Sequence, residues 1–124
     1  MRISRKRVRQ IVEDAQSRLG LQDWKIDIHI KKLEDQYGLC WNVRPSEKRA
    51  EITVDTSSHQ TIEQLTNTLV HETVHIAHFG IDDLFSDVLK KLHPKNKEAR
   101  DEAWDHYDRV REELVVRITK ALET

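Results

Sequence analysis

Apolar residues at Val8, Ile11, Val12, Ala15 and Leu19 recur at three- and four-residue spacing, the period of a helix with one buried side. They predict a first helix from about Ser4 to Leu19, with Gly20 as its stop. The period then drops to two: Trp24, Ile26, Ile28 and Ile30 alternate with Lys25, Asp27, His29 and Lys31, the pattern of a half-buried strand that leaves His29 on the polar side. Tyr37, Leu39, Trp41 and Val43 alternate before Pro45, and Ala50 to Asp55 alternates again through Ile52 and Val54. Three short strands in succession predict a small sheet, in its simplest form a meander.

From Thr61 the helical period returns. Ile62, Leu65, Leu69, Val70, Val74 and Ala77 fit one helix, with Thr61 and Gln64 as a capping box at its start and Gly80 just past its end. Leu84, Val88, Leu89 and Leu92 predict a shorter helix closed by Pro94, and Ala103, Tyr107, Val110, Leu114, Ile118 and Ala121 mark a long final one. The expected fold class is therefore α+β, an N-terminal helix, a small sheet and then helices, in a single domain over residues 1–124.

Composition narrows the partners. With 37% hydrophobic and 35% charged residues, the core must be thin and the helices strongly two-faced. A formal charge of −1 supplies no overall field to gather nucleic acid or an anionic membrane. The basic cluster Arg2, Arg5, Lys6, Arg7 and Arg9 lacks interleaved aromatics and reads as the wet face of the first helix. No apolar run is longer than three residues, so no membrane span is expected, and Gln10, Glu13, Asp14 and Gln16 break the apolar stretch that a secretory leader would need. The lone Cys40 has no intramolecular disulfide partner; a reducing, cytoplasmic setting and a small buried thiol are expected.

Within the helix that begins at Thr61 the chain reads Leu69-Val70-His71-Glu72-Thr73-Val74-His75. Side chains four residues apart share a helix face, so His71 and His75 can converge on one cation, and zinc is the metal this pattern suits. Glu72 lies about 100° further round, poorly placed to share the metal but able to reach a water bound to it as a general base.

A catalytic zinc takes a third protein ligand, normally from another element. His78 is on the same helix and reads better as an orienting or surface histidine. No Gly and His follow at metzincin positions, and the cysteine pair of zinc deaminases is absent. The last helix offers Glu112 and Glu113. Glu112 shares a side with Val115, Val116 and Thr119, Glu113 with Val116, Arg117 and Lys120, so Glu112 is favoured as the inward ligand and Glu113 is the alternative.

An H-E-x-x-H helix, preceded by a short sheet and followed roughly 35 residues later by a helical glutamate, resembles the gluzincins. A W-x-I-x-I strand first and an E-E-x-V-V helix last make the stretch from about Trp24 to Leu122 similar to the compact metallopeptidases of phages and prophages. The resemblance implies a minimal zincin-like fold and a zinc-dependent peptidase acting on a peptide or protein. It also implies an extended substrate paired with an edge strand, for which Ala50 to Asp55 is the candidate.

The chain departs from that family at the fourth and seventh residues after the third ligand, commonly polar and small: Glu112 is followed there by Val116 and Thr119, Glu113 by Arg117 and Lys120. The groups that orient the histidines are thus open, with Asp105 and Asp108 the nearest candidates, and His78, His106 and Tyr107 are unassigned candidates for oxyanion stabilisation. The competing reading is a regulatory or interaction module with a non-catalytic zinc, against which Glu72 argues, since such a site has no use for a general base.

Overall fold

The computed structural model describes residues 2–122, an α+β arrangement of three helices and one three-stranded mixed sheet. Helix α1 spans Arg5–Arg18 and starts where the sequence places it, because the Ser4 hydroxyl accepts the Arg7 amide. Gly20 ends it in the left-handed conformation at φ 71°, with the Leu21 amide donating to the Gln16 carbonyl and the Gly20 amide to Ser17.

The strands are β1 (Lys25–Ile30), β2 (Gly38–Arg44) and β3 (Arg49–Val54), in the order β1-β3-β2. This is not the expected meander: β3 enters between the other two, parallel to β1 and antiparallel to β2. The hairpin between β2 and β3 turns at Pro45–Lys48, where Lys48 adopts φ 52° and its amide donates to the Pro45 carbonyl. Burial explains the order. Ala50, Ile52 and Val54 of β3 are all but inaccessible, whereas Leu39 and Trp41 of β2 stay exposed, so the most deeply buried strand takes the centre. The segment Ala50 to Asp55, expected to offer a pairing edge, is therefore covered on both sides, and the edges fall to β1 and β2, of which β2 is the one beside Glu72.

Asp55 anchors the end of β3 to the loops on either side of it. Its carboxylate accepts from the Ser57 amide and hydroxyl and from the Leu33 amide, contacts that hold its pKa below the ordinary value, the Ser57 hydroxyl foremost. His59, buried, bridges the Asp55 carbonyl and the Thr68 hydroxyl, which fixes the start of the next helix against the sheet.

Helix α2 runs over Ile62–Leu92, 31 residues without a break, and α3 over Lys97–Leu122. Thr61 caps α2 by accepting the Gln64 amide, and the Gln64 side chain reaches back to the Gln60 amide. Gly80, expected as a stop, lies inside α2. It keeps right-handed backbone, for among the described glycines only Gly20 has positive φ. The cost of a mid-helix glycine, about 1 kcal/mol, is offset because the helix beyond it packs Phe85 on Trp104 and Tyr107 of α3 and buries Leu89.

The inner sheet face carries one core, in which Val8 and Val12 of α1 and Leu65 and Leu69 of α2 meet Ile28 and Ile52. A smaller cluster of Ala15, Val70, Val74 and Val115 joins all three helices. Ala77, expected on the buried stripe, is exposed. No described helix is long and apolar enough to cross a membrane.

Candidate metal centre

His71 and His75 project from one side of α2 with their Nε2 atoms 3.2 Å apart. Antiparallel α3 brings Glu112 across them: Oε2 lies 3.6 Å from His71 Nε2 and Oε1 3.0 Å from His75 Nε2. All three side chains belong to half-buried residues, and their ligand atoms form a group that could hold a metal ion. Four ligands at about 2.0–2.1 Å in a tetrahedron stand about 3.3 Å from one another; the two imidazole nitrogens, 3.2 Å apart, meet that spacing, and the carboxylate approaches each of them through a different oxygen. The donor set, two imidazoles and one carboxylate, suits zinc and leaves a fourth position open. Burial lowers the pKa of His75 against the opposing pull of Glu112, which favours the neutral, metal-ligating imidazole.

Burial on α3 decides between the two glutamates. Val115 and Thr119 are inaccessible, which turns Glu112 to the seam with α2 and leaves Glu113 exposed. His78 is half-buried and outside the group, while His93 and His106 are exposed. Asp105 is exposed too, and Asp108 pairs with Arg111 rather than with a histidine.

The group that braces the site was not among the expected residues. Asp82 of α2 accepts from the Tyr107 hydroxyl at 2.5 Å and pairs with Arg111 at 3.1 Å, while the Arg111 guanidinium stands 4.0 Å from the Glu112 carboxylate. Burial and the Asp82 contact together push the Tyr107 hydroxyl up to about 12, so it stays a donor. His71, His75, His78 and Asp82 follow one another at four, three and four residues on a single helix face. That stripe was open to sequence reading only if the helix continued through Gly80.

Glu72, which lines the same cleft as His75, reaches β2, where its Oε1 accepts the Cys40 amide at 3.1 Å. The approach is close because residue 38 is glycine: a Cβ there would stand 2.7 Å from the Thr68 methyl and 3.4 Å from Glu72 Cγ. Burial pushes the Glu72 carboxyl up to about 7, opposed by the Cys40 amide and helped by the Glu112 charge. Burial first, and then the Glu72 charge, push the half-buried Cys40 thiol up to about 12, which keeps it protonated and unreactive. Cys40, Trp41, Glu72, His75, Phe79 and Arg111 are among the residues lining a cleft of about 530 Å³ beside the ligand group. A larger groove of about 780 Å³, between α1 and the start of α2, carries none of these side chains.

Compared with known proteins, the chain matches no family model, no curated protein and no solved structure.

Two consequences can be measured. Asp82→Ala takes one of two carboxylate partners from half-buried Arg111, which keeps Asp108, and removes the acceptor of the Tyr107 hydroxyl. It should lower zinc affinity about 10–100-fold, the usual cost of losing a group that braces a ligand, and destabilise the fold by about 1–2 kcal/mol through the lost hydrogen bonds. Unchanged zinc affinity by competitive titration with a chelating dye would show that this pair does not brace Glu112.

The second concerns the metal-free protein. A carboxyl whose folded-state pKa is raised weighs against folding in its charged form. The penalty is absent below the ordinary value of 4.5, grows as pH rises, and is complete above about 7. In chelator-treated protein, Glu72→Gln should therefore unfold later than wild type at pH 8, by up to about 3 kcal/mol, with no gain at pH 4. Equal urea midpoints at pH 8 would contradict the assigned burial of Glu72.

Proposed function

We propose that the chain is a zinc-dependent metallopeptidase with a minimal zincin-like fold, holding its metal through His71, His75 and Glu112 and using Glu72 as general base. One observation carries this reading: His71, His75 and Glu112, from two helices, bring one ligand atom each within 4.8 Å of one another, and Glu72 lines a cleft together with His75.

Zinc bound there would supply Lewis acidity, lowering the pKa of a coordinated water toward about 7 and polarising a substrate carbonyl. The remaining work falls to the chain. Glu72 Oε accepts the proton of the attacking water and returns it to the departing amine, roles for a carboxyl near neutrality. The Cys40 amide holds that carboxylate in place through Oε1, at the wall of the cleft. Arg111, tethered to Asp82, keeps the neighbouring Glu112 at the helix seam.

The β2 edge offers the substrate its register. The Tyr37 carbonyl accepts the Asp55 amide, so Tyr37, Leu39 and Trp41 turn their backbone groups toward β3, while those of Gly38 and Cys40 turn outward. An extended peptide laid along that edge would pair with main-chain groups beside Glu72. β2 therefore takes the substrate-pairing role first expected for Ala50 to Asp55.

Mass spectrometry of a diverse peptide mixture tests the function. Zinc-loaded protein should create new peptide termini, a strong chelator should stop cleavage, and added zinc should restore it. Zinc-loaded protein that cleaves nothing would favour the non-catalytic binding module instead.

A further inference from the structure

An apolar seam on α2 changes character halfway along. Val70, Val74, Ala77, Ile81, Leu84 and Val88 follow one another at alternating four- and three-residue steps, the spacing by which one helix beds against another. The first two are buried, Val74 completely, in the cluster that Ala15 of α1 completes. Beyond Ala77 the same stripe is bare: Ile81 is 56% exposed, Leu84 65% and Val88 41%, with Leu92 beyond them 66% exposed. Helix α3 repeats this in reverse. Ile118 packs into that cluster, whereas Leu114 and Val110, one and two turns earlier, are 44% and 50% exposed.

Both bare stretches point the same way. On α2 they lie roughly opposite Glu72 and Phe79, and on α3 roughly opposite Glu112, by the 100° step of the helix. Both therefore face away from the metal cleft, on one side of the α2–α3 hairpin. Of the eleven large apolar side chains exposed among the described residues, these six gather on this one side.

We propose that this bare seam binds a second copy of the chain, the two hairpins closing a four-helix bundle about a twofold axis. The spacing specifies a helical occupant, as α1 shows on the covered half. A hairpin supplies two antiparallel helices with one apolar side, the element from which such a bundle is made by pairing with itself. The six side chains expose on the order of 600 Å², the upper end for a patch on a monomer and most of the about 800 Å² per partner in a stable interface. Charge permits the pairing. The chain's net charge of −1 gives little self-repulsion.

This proposal stands apart from the metal reading, and sedimentation velocity of the full chain from low to high micromolar concentration tests it. Wild type should sediment as a species of twice 14.7 kDa. The double variant Leu84→Glu, Val110→Glu, which alters only exposed positions, should weaken the dimer by about 100-fold or more, with wild-type circular dichroism. Ile62→Glu, at an exposed residue in the groove beside α1, should leave the dimer intact. A wild type that stays monomeric throughout overturns the proposal. So does a double variant that remains dimeric, or a dimer that Ile62→Glu dissolves.

Discussion

His71→Ala and Glu112→Ala are each expected to take the protein from one tightly held zinc to none, while Glu113→Ala keeps it. The three ligand atoms come from two helices and, among the described residues, no fourth protein donor joins their group, so each loss leaves two ligands, too few to displace the metal's water shell. The affinity should fall by more than about 1,000-fold, far beyond the effect of Asp82→Ala. Glu113 is the necessary control because it sits next in sequence, carries the same charge and points to solvent. Metal content of the purified variants, measured by mass spectrometry of the metal, checks this. A His71→Ala protein with one zinc per chain would remove the site, and loss with Glu113→Ala but not Glu112→Ala would move the third ligand.

The local features of this fold were open to sequence reading where the local signal was strong. Ser4 and Gly20 bracket α1 because a cap and a left-handed glycine act within a few residues. The alternation of Ile26 and Ile28, and of Ile52 and Val54, marked strands for the same reason. Glu112 was preferred over Glu113 from the buried neighbours Val115 and Thr119, and the structure turns those residues inward. Val116, placed on the same inward side, is 44% exposed.

What could not be read was decided at a distance. Strand order depends on which strand gains most by being covered twice, and nothing in a single strand's alternation says so. Gly80 carries the same signal whether it ends a helix or is overridden, and the contacts that override it lie on α3, at Trp104 and Tyr107. Ending the helix at Gly80 hid Asp82 and with it the brace at Arg111. The Gly38 approach to Thr68 and Glu72 was hidden likewise, because it joins a strand edge to a helix across 30 residues or more of chain.

Glu72→Gln is expected to keep zinc at the wild-type level and lose turnover. Glutamine has nearly the same shape, and its carbonyl oxygen can still accept the Cys40 amide, so β2 stays seated on α2. It cannot take a proton from water. The loss should therefore fall on kcat, by about 10²–10⁴-fold, the usual worth of a positioned general base, with KM little changed. A variant of His71 or Glu112 loses metal and activity together, so only Glu72→Gln separates chemistry from binding.

The most direct test is a parallel digestion of one diverse peptide library by zinc-loaded wild type and zinc-loaded Glu72→Gln, with metal content measured on the same samples. New peptide termini from the wild type alone, at equal zinc, are the predicted result. Cleavage at equal rates by both proteins, or by neither, would contradict the assignment of Glu72 as the general base of a zinc peptidase.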